Sequence, residues 1–172
     1  LPVLALLVRL FGGKGAVLLR QERMTLDGKT FQIFKFRTMI DEAEKETGPI
    51  FATSDDPRRT PIGAWLRRHN LDELPQLLNV LKGDMSFVGP RPERDFFIEQ
   101  LKKEIPYYSE RFTVKPGITG WAQVCYHYGA SVEDAVEKLN YDLFYIKNLT
   151  FLFDMLIIFR TVKIVLFGKG AR

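Results

Sequence analysis

The sequence contains two adjacent carboxylates and, a short distance further on, an arginine held between two prolines. Asp72 and Glu73 lie in the run LDELPQ, and Arg91 lies between Pro90 and Pro92 in the run GPRP. A carboxylate can attack phosphorus, a second carboxylate can hold a divalent cation, and a guanidinium in a rigid loop can bind phosphate oxygens. The alternative is structural, because acidic residues favour the positive end of a helix. The residues alone leave both interpretations open.

The acidic pair is predicted to lie at the start of a helix. Thr60 and Pro61 have the residue types of a cap and a first helical position, and they predict a helix just before the pair. Pro75 lacks an N–H and cannot lie deep inside a helix, so the next helix should begin between residues 70 and 73. Four leucines then have the spacing of a buried helical stripe: Leu74, Leu77, Leu78 and Leu81.

A β-hairpin is predicted upstream of the acidic pair. Residues 17–25 and 29–38 have strand-like composition and flank an Asp-Gly pair at 27–28, which favours a two-residue turn. The second strand ends with Lys35 and Arg37. Cations at a strand end either bind substrate or are ordinary solvated charges, and the residues alone do not decide between these roles.

Three segments downstream have recognisable local patterns. Residues 93–104 have the pattern of a helix, and residues 115–120 predict a tight glycine-bearing turn whose backbone N–H groups face a phosphate. Ser131 and Asp134 have the spacing of a capping box at the start of a long helix. Asp142 is expected on a different face from the apolar residues that point inward, which are Val132, Ala135, Val136, Leu139, Leu143 and Ile146.

The composition is that of one folded domain with an anionic partner. The chain has 172 residues, of which 46% are hydrophobic and 27% charged, so it can bury a core. Its net charge of +4 fits a nucleotide, a phospholipid surface or a nucleic acid. The aromatic residues lie in apolar runs rather than on a basic stripe, which argues against a nucleic acid. Cys125 is the single cysteine and there are two histidines, so a disulfide, a zinc site and a His-based triad are not expected.

Both ends of the sequence are rich in apolar residues. No run of 18 uncharged apolar residues is present, so a simple membrane-spanning helix is not predicted. Residues 1–11 resemble the second half of a hydrophobic segment. Residues 149–167 are rich in aromatics and suit a helix that lies in a membrane interface, with Phe153 and Ile157 expected to contact lipid. The alternative is that both ends are core helices of a soluble protein.

Six ordered motifs together resemble one family, the bacterial sugar transferases, which are monotopic phosphoglycosyl transferases. The resemblance extends from about residue 14 to residue 172. The motifs are Lys35–Met39, Leu71–Gln76, Asn79–Ser86, Val88–Pro92, Lys115–Gln123 and Tyr141–Tyr145. Because the six occur in the family's order, the resemblance favours the chemical interpretation of the acidic pair.

The resemblance implies a reaction and its partners. Enzymes of this family move a sugar-1-phosphate from a UDP-sugar to a polyprenyl phosphate such as undecaprenyl phosphate, and they release UMP. They depend on magnesium and work at the cytoplasmic face of the bacterial inner membrane, where they begin the assembly of exopolysaccharide, lipopolysaccharide O-antigen or glycoprotein glycans. Inner-membrane lipid is therefore an expected partner, a nucleic acid is not, and a homo-oligomer is compatible with the resemblance.

The resemblance also implies roles for individual residues. Asp72 matches the nucleophile that forms a phosphoryl-aspartate intermediate, and Glu73 matches the magnesium ligand beside it. Lys35 and Asp142 match further positions that the family's catalysis requires. Substrate-binding positions are implied at Arg37, Pro90, Arg91, Pro92 and Gln123.

The predicted fold is α/β, or more loosely α+β, with a small antiparallel hairpin surrounded by amphipathic helices and membrane-associated helices at both ends. Residues 1–13 are predicted to be the second half of a re-entrant membrane helix that bends at Pro2. Residues 14–172 are predicted to form a catalytic domain on the cytosolic face, including an interfacial helix near 149–167. The rival interpretation is a peripheral membrane module that senses anionic lipid without catalysing a reaction.

One loop departs from the family pattern. Many relatives continue from residue 124 with an Asn-Gly-Arg sequence, whereas this chain continues with residues 125–129, CYHYG. The phosphate contact of that arginine is therefore not carried over to this chain. Either Tyr126 or Tyr128 replaces it by contacting the substrate, or both tyrosines simply pack.

Overall fold

The computed structural model describes residues 1–43, 45, 48, 56–126 and 131–167. Within these residues the chain forms helices around two small sheets, which confirms the predicted α/β class. The elements are α1 (Pro2–Phe11), β1 (Leu18–Met24), β2 (Thr30–Phe36), α2 (Pro61–Arg68), α3 (Leu77–Lys82), β3 (Ser86–Val88), α4 (Asp95–Glu104), β4 (Gly117–Thr119), α5 (Trp121–Cys125), α6 (Val132–Lys147) and α7 (Phe151–Phe167), with 3₁₀ segments at Leu26–Gly28, Leu71–Gln76 and Tyr108–Phe112.

The predicted hairpin is confirmed, with a wider connection than expected. Strands β1 and β2 pair antiparallel from Leu18↔Phe36 to Met24↔Thr30. Because the pairing stops there, residues 25–29 form the connection rather than the two predicted residues. Both turn residues nevertheless adopt left-handed backbone, as an Asp-Gly pair allows, with φ of 59° at Asp27 and 72° at Gly28.

The helical segment that carries the acidic pair begins at Leu71, within the predicted range, but the predicted type of helix is wrong. Asp72 and Glu73 lie in the 3₁₀ segment Leu71–Gln76, and the α-helix begins only at Leu77. Pro75 has no N–H for an α-helical bond, and its ring would clash with the carbonyl four residues earlier, so the tighter segment forms instead. The predicted leucine stripe is wrong as well, since Leu78 and Leu81 are 40% and 84% exposed.

A buried asparagine explains why the polar face of α3 turns inward. The Asn79 side-chain oxygen accepts from the Phe34 N–H at 3.0 Å, and its amide donates to the Gln32 carbonyl at 2.8 Å. These are backbone groups of β2 that β1 does not pair, so Asn79 acts in place of a neighbouring strand. The 3₁₀ segment that precedes α3 is thereby held beside β2.

The predicted turn at residues 115–120 is instead a short strand. Strand β4 pairs parallel with β3 through Ser86↔Gly117 and Val88↔Thr119. The backbones approach so closely that a Cβ on Gly117 would overlap the backbone nitrogen of Gly89. Glycine is therefore needed here for strand contact, not for a phosphate-binding turn.

The capping box of α6 is confirmed, and Ala135, Leu139, Leu143 and Ile146 pack into core clusters as predicted, but the predicted positions of three other residues are wrong. Ser131 accepts from the Asp134 N–H, and Asp134 accepts from the Ser131 N–H. Val132 and Val136 are exposed, whereas Asp142 is only 2% exposed. A buried carboxylate on the core face requires a partner of opposite charge, which the helix periodicity alone does not reveal.

Helix α7 has one buried face and one exposed apolar face. Ile157 is fully buried, and the Phe153 ring lies against Trp121 with centroids 5.0 Å apart, so the expectation that these two residues contact lipid is wrong. Its exposed apolar residues include Phe151, Leu152, Phe159 and Leu166. Among the described residues, no helix is both long and apolar enough to cross a membrane.

The contacts of Asn79 generate a stability prediction. Asn79→Ala would leave the Phe34 N–H and the Gln32 carbonyl without their partner in a buried location, so we expect the free energy of unfolding to fall by about 2–4 kcal/mol. Urea unfolding followed by circular dichroism measures the change. Asn140→Ala, at an exposed position of α6, is the matched control and should change stability by less than about 0.5 kcal/mol. Equal losses for both variants would contradict the role assigned to Asn79.

Candidate active site

The Glu73 carboxylate is bound by two cations from different parts of the chain. The Lys35 Nζ lies 2.8 Å from Glu73 Oε1. The Arg91 guanidinium binds both oxygens, with Nη1 at 3.0 Å from Oε2 and Nη2 at 2.5 Å from Oε1. Burial alone would raise the pKa of Glu73, but the charges of Arg91 and Lys35 outweigh it and hold the pKa well below its usual range. Glu73 is therefore ionised at any pH at which the protein works.

Local structure explains how these three side chains meet. In β2, Lys35 alternates with Phe34 and lies on the same face as the buried Ile33, and its Nζ reaches Glu73 in the 3₁₀ segment. Arg91 follows β3, and the flanking Pro90 and Pro92 restrict the backbone on both sides of it. Burial lowers the pKa of Lys35, while Glu73 opposes that change.

The Asp72 carboxylate differs from that of Glu73 in its hydrogen-bond and ion-pair partners. Asp72 is 9% exposed, yet among the described residues none forms a hydrogen bond or ion pair with its carboxylate. Burial and the adjacent Glu73 raise its pKa, while Lys35, Arg67 and Arg91 oppose them. Neighbouring residues of a 3₁₀ helix point about 120° apart, so the two carboxylates face different directions. Asp72 thus has its oxygens unshared within a positively charged surrounding, as a nucleophile requires.

Asp142 does not join the acidic pair. Its Oδ2 accepts from Arg111 Nη2 at 2.8 Å, and both side chains are buried. Burial raises the pKa of Asp142 to about 6, opposed chiefly by Arg111, so the carboxylate is ionised at neutral pH. The sequence analysis missed Arg111, because nothing in its local pattern marks an arginine as buried.

The remaining predicted substrate-binding residues contact backbone. Arg37 donates to the carbonyls of Gly13 and Lys14, which ties the segment after α1 to the end of β2. Gln123 donates to the Ile118 carbonyl at 3.3 Å, and its buried Oε1 has no hydrogen-bond partner in the described part of the chain. The structure gives both residues a structural contact, and their substrate roles stay predictions.

Of the two tyrosines in the divergent loop, the structure describes one. The Tyr126 hydroxyl donates to Asp134 Oδ1 at 2.8 Å, and its ring lies 6.1 Å from that of Tyr141. Tyr126 is therefore already engaged by the start of α6. Tyr128 and the rest of residues 127–130 lie outside the described residues.

A small pocket lies beside Arg91. It combines the two prolines of the Pro-Arg-Pro turn with apolar side chains and a second guanidinium. Its lining residues are Met24, Pro90, Arg91, Pro92, Arg111, Phe112, Val114 and Pro116. Its volume is about 10 Å³, which is room for a water molecule and not for a nucleotide.

The acidic pair does not form a complete metal centre within the described residues. Among residues 1–43, 45, 48, 56–126 and 131–167, no three His, Cys, Asp or Glu side chains converge on a metal position. Magnesium, however, is usually held by one or two carboxylates together with substrate phosphates. Asp72 and Glu73 supply hard oxygen donors of that kind, so the residues fit an ion shared with a substrate rather than a metal centre built by the protein alone.

Comparison with known proteins gives the family. The bacterial sugar transferase family model matches residues 1–168. A UDP-N-acetylgalactosamine-undecaprenyl-phosphate N-acetylgalactosaminephosphotransferase of Aeromonas hydrophila is 46% identical over 158 residues, which are 92% of this chain and 37% of that protein. A UDP-glucose:undecaprenyl-phosphate glucose-1-phosphate transferase of Escherichia coli K12 is 45% identical over 166 residues, which are 94% and 35%. The chain thus spans about a third of the length of these curated relatives.

The ion pairs of Glu73 generate a second stability prediction. Glu73→Gln removes the charge that compensates Lys35 and Arg91 while leaving both cations largely buried, so we expect a loss of roughly 2–4 kcal/mol in the free energy of unfolding. Chemical unfolding at pH 7 measures it, with Glu22→Gln on the exposed side of β1 as the control. An unchanged unfolding free energy in Glu73→Gln would show that the two cations do not depend on this carboxylate.

Proposed function

The chain belongs to the bacterial sugar transferase family, and on this basis we propose that it transfers a sugar-1-phosphate from a UDP-sugar to undecaprenyl phosphate and releases UMP. The relatives from Aeromonas hydrophila and Escherichia coli are named for transfers of this kind. The observation that carries the proposal is the contrast within the acidic pair. Glu73 is held by Lys35 and Arg91, whereas Asp72 beside it keeps its oxygens unshared.

The proposed reaction has two displacement steps. In the first, an Asp72 carboxylate oxygen attacks the phosphorus that bears the sugar. The bond from this phosphorus to the bridging oxygen breaks, and UMP leaves with that oxygen and its electron pair. In the second step, a phosphate oxygen of the polyprenyl acceptor attacks the same phosphorus, and the phosphorus–oxygen bond to Asp72 breaks. The carboxylate is regenerated, so the cycle closes without a net proton change.

A covalent route suits two anionic substrates. Direct attack of one phosphate on another must bring their negative charges together, whereas an enzyme nucleophile lets one site process each anion in turn. The raised pKa of Asp72 favours this role, because a more basic carboxylate oxygen is a better nucleophile. The charges of Lys35, Arg67 and Arg91 oppose this rise in the pKa and favour the ionised form.

Lys35 and Arg91 would supply fixed positive charge where the diphosphate collects negative charge. The Arg91 guanidinium already binds a carboxylate through two nitrogens, and the same planar pair of N–H groups matches two phosphate oxygens.

Glu73 would hold the magnesium ion that the family resemblance implies. When bound, the ion would neutralise the diphosphate and stabilise the departing phosphate of UMP. Because both oxygens of Glu73 are engaged by Lys35 and Arg91, these cations would have to share the carboxylate with the ion. The protein thus presents a carboxylate already ionised and fixed in direction.

We further propose that the chain works on the cytoplasmic face of the bacterial inner membrane. A polyprenyl acceptor keeps its tail in lipid, so the site must lie near the bilayer surface. The exposed apolar faces of α1 and α7 are the candidate lipid contacts, with residues 1–13 as membrane segment and 14–172 as catalytic domain. The proposed partners are membrane lipid and a second copy of this chain, in a homo-oligomer.

The alternative is a lipid-sensing module without catalysis. Such a module would use the net positive charge and the apolar helix faces but would need no unshared carboxylate beside a bidentate Arg91–Glu73 pair. Release of UMP from a UDP-sugar separates the two functions, because only a transferase cleaves the donor.

The nucleophile assignment gives the central activity prediction. Incubation of the full chain with a UDP-sugar panel and magnesium, without acceptor, should release UMP and leave a sugar phosphate on Asp72, detectable as added mass on its peptide. Asp72→Asn should lose the adduct and reduce turnover by at least about 1,000-fold, because an amide is a poor nucleophile. Asp27→Asn, in the exposed hairpin turn, is the control and should behave as wild type. An adduct on Glu73, or turnover by Asp72→Asn, would reverse the assignment.

The two faces of α7 give a membrane-binding prediction. Leu152 and Phe159 are 79% and 70% exposed, so replacing both with Asp should leave the fold intact but reduce co-flotation with phosphatidylethanolamine–phosphatidylglycerol vesicles at least about tenfold. Phe153→Asp with Ile157→Asp should instead unfold the domain, as circular dichroism would report. Wild-type flotation by the Leu152/Phe159 variant would place the lipid contact elsewhere.

A further inference from the structure

A buried ion pair lies behind the Pro-Arg-Pro turn. Arg111 and Asp142 are 31 positions apart in the chain, and their side chains are 7% and 2% exposed. The charged groups that act on the Asp142 carboxyl are Arg111, Glu93 and Lys138, none of which belongs to the acidic pair. Within the described part of the chain, Asp142 therefore makes no direct contact with Asp72 or Glu73.

The ion pair does reach Arg91, through its backbone. Arg111 Nη2 donates both to Asp142 Oδ2 at 2.8 Å and to the Arg91 carbonyl at 3.0 Å. Arg111 Nη1 donates to the Tyr108 hydroxyl at 2.5 Å. The guanidinium is thus held on two sides by fixed acceptors, and its planar geometry then fixes the direction in which it meets the Arg91 carbonyl.

The peptide on the other side of Arg91 is also fixed. The Gly117 N–H donates to the Pro90 carbonyl at 3.0 Å, which ties the turn to the start of β4. Together with the hydrogen bond from Arg111, both peptide carbonyls that flank the Arg91 Cα are anchored. With Pro92 following, the backbone has little freedom, so the direction of the Arg91 side chain toward Glu73 is set.

We propose that Asp142 is a positioning residue for donor binding, which acts by holding Arg111 against the Arg91 carbonyl and thereby fixes the Arg91 guanidinium at the diphosphate. The proposal rests on the proposed transferase function for its kinetic readout. It assigns to Asp142, which the family resemblance marks only as required, a route of action that passes through Arg111. The competing explanation is that the ion pair merely stabilises the fold.

A double-mutant cycle of Asp142 and Arg91 distinguishes a positioning role of Asp142 from a purely stabilising one. If Asp142 acts through Arg91, then Asp142→Asn and Arg91→Ala remove the same contribution, and the double variant should be no worse than the poorer single variant. We expect each single change to reduce kcat/KM for the UDP-sugar by about 100-fold, mostly through KM, and the double change by about 100-fold as well. Independent losses, which would multiply to about 10,000-fold, would overturn the proposal.

Matched variants control for folding. Glu137→Gln neutralises an exposed carboxylate on the same helix and should keep wild-type kinetics. Tyr108→Phe removes only the acceptor at Arg111 Nη1, so it should fold and raise KM by about tenfold, an effect that should vanish in the Arg91→Ala background. If Asp142→Asn fails to fold, this Tyr108 cycle decides the matter, and a KM unchanged by Tyr108→Phe would overturn the proposal.

A readout without turnover separates failure of this proposal from failure of the proposed function. If the wild-type chain releases no UMP from any UDP-sugar, the transferase function fails. The NMR resonance of the Arg91 Nε–H group then still reports the position of its guanidinium. It should shift in Asp142→Asn and Tyr108→Phe but stay unchanged in Glu137→Gln. An unchanged Arg91 resonance in the first two variants would overturn the positioning role.

Discussion

A single buried carboxylate connects three pieces of chain that are far apart in sequence. Glu73 belongs to a 3₁₀ segment, Lys35 to a hairpin strand, and Arg91 to the turn after a parallel strand pair. A charge buried in this way is tolerated only when its partners lie at hydrogen-bond distance. The position of each piece is therefore constrained by the other two, and the site is assembled before any substrate arrives.

The surrounding structure keeps these three pieces within reach of one another. Asn79 fixes the 3₁₀ segment beside β2 by bonding to the free edge of that strand. Arg111 fixes the backbone of Arg91 by donating a hydrogen bond to its carbonyl. Asp72 lies next to these fixed charges and takes no part in the hydrogen bonds, which leaves its oxygens available to a substrate. The fixed cations and the unshared carboxylate beside them are the features from which we propose that this site binds an anionic donor.

Turns and helix caps, which depend on residues a few positions apart, could be predicted from the sequence. Burial that depends on partners far apart in the chain could not. The hairpin and the capping box at Ser131 were predictable, since turn and cap chemistry act within a few residues. The burial of Asp142 on the inward face of α6 was not predictable, because its partner is Arg111, 31 positions away. The buried face of α7 was missed because apolar residues surround that helix, so periodicity does not distinguish Ile157 from exposed neighbours. The acidic pair, Lys35 and Arg91 were identified by family resemblance, and the structure brings all but Asp72 into direct contact.

In the proposed two-step mechanism, the protein cleaves the UDP-sugar before the polyprenyl phosphate acceptor arrives. The most direct measurement is isotope exchange between labelled UMP and unlabelled UDP-sugar in vesicles that contain no polyprenyl phosphate. A covalent intermediate on Asp72 makes the first step reversible by itself, so the account predicts that label enters the UDP-sugar pool and that undecaprenyl phosphate is not needed for this. If label enters only when the acceptor is present, or not at all while transfer proceeds, the donor and acceptor react directly and the account is contradicted.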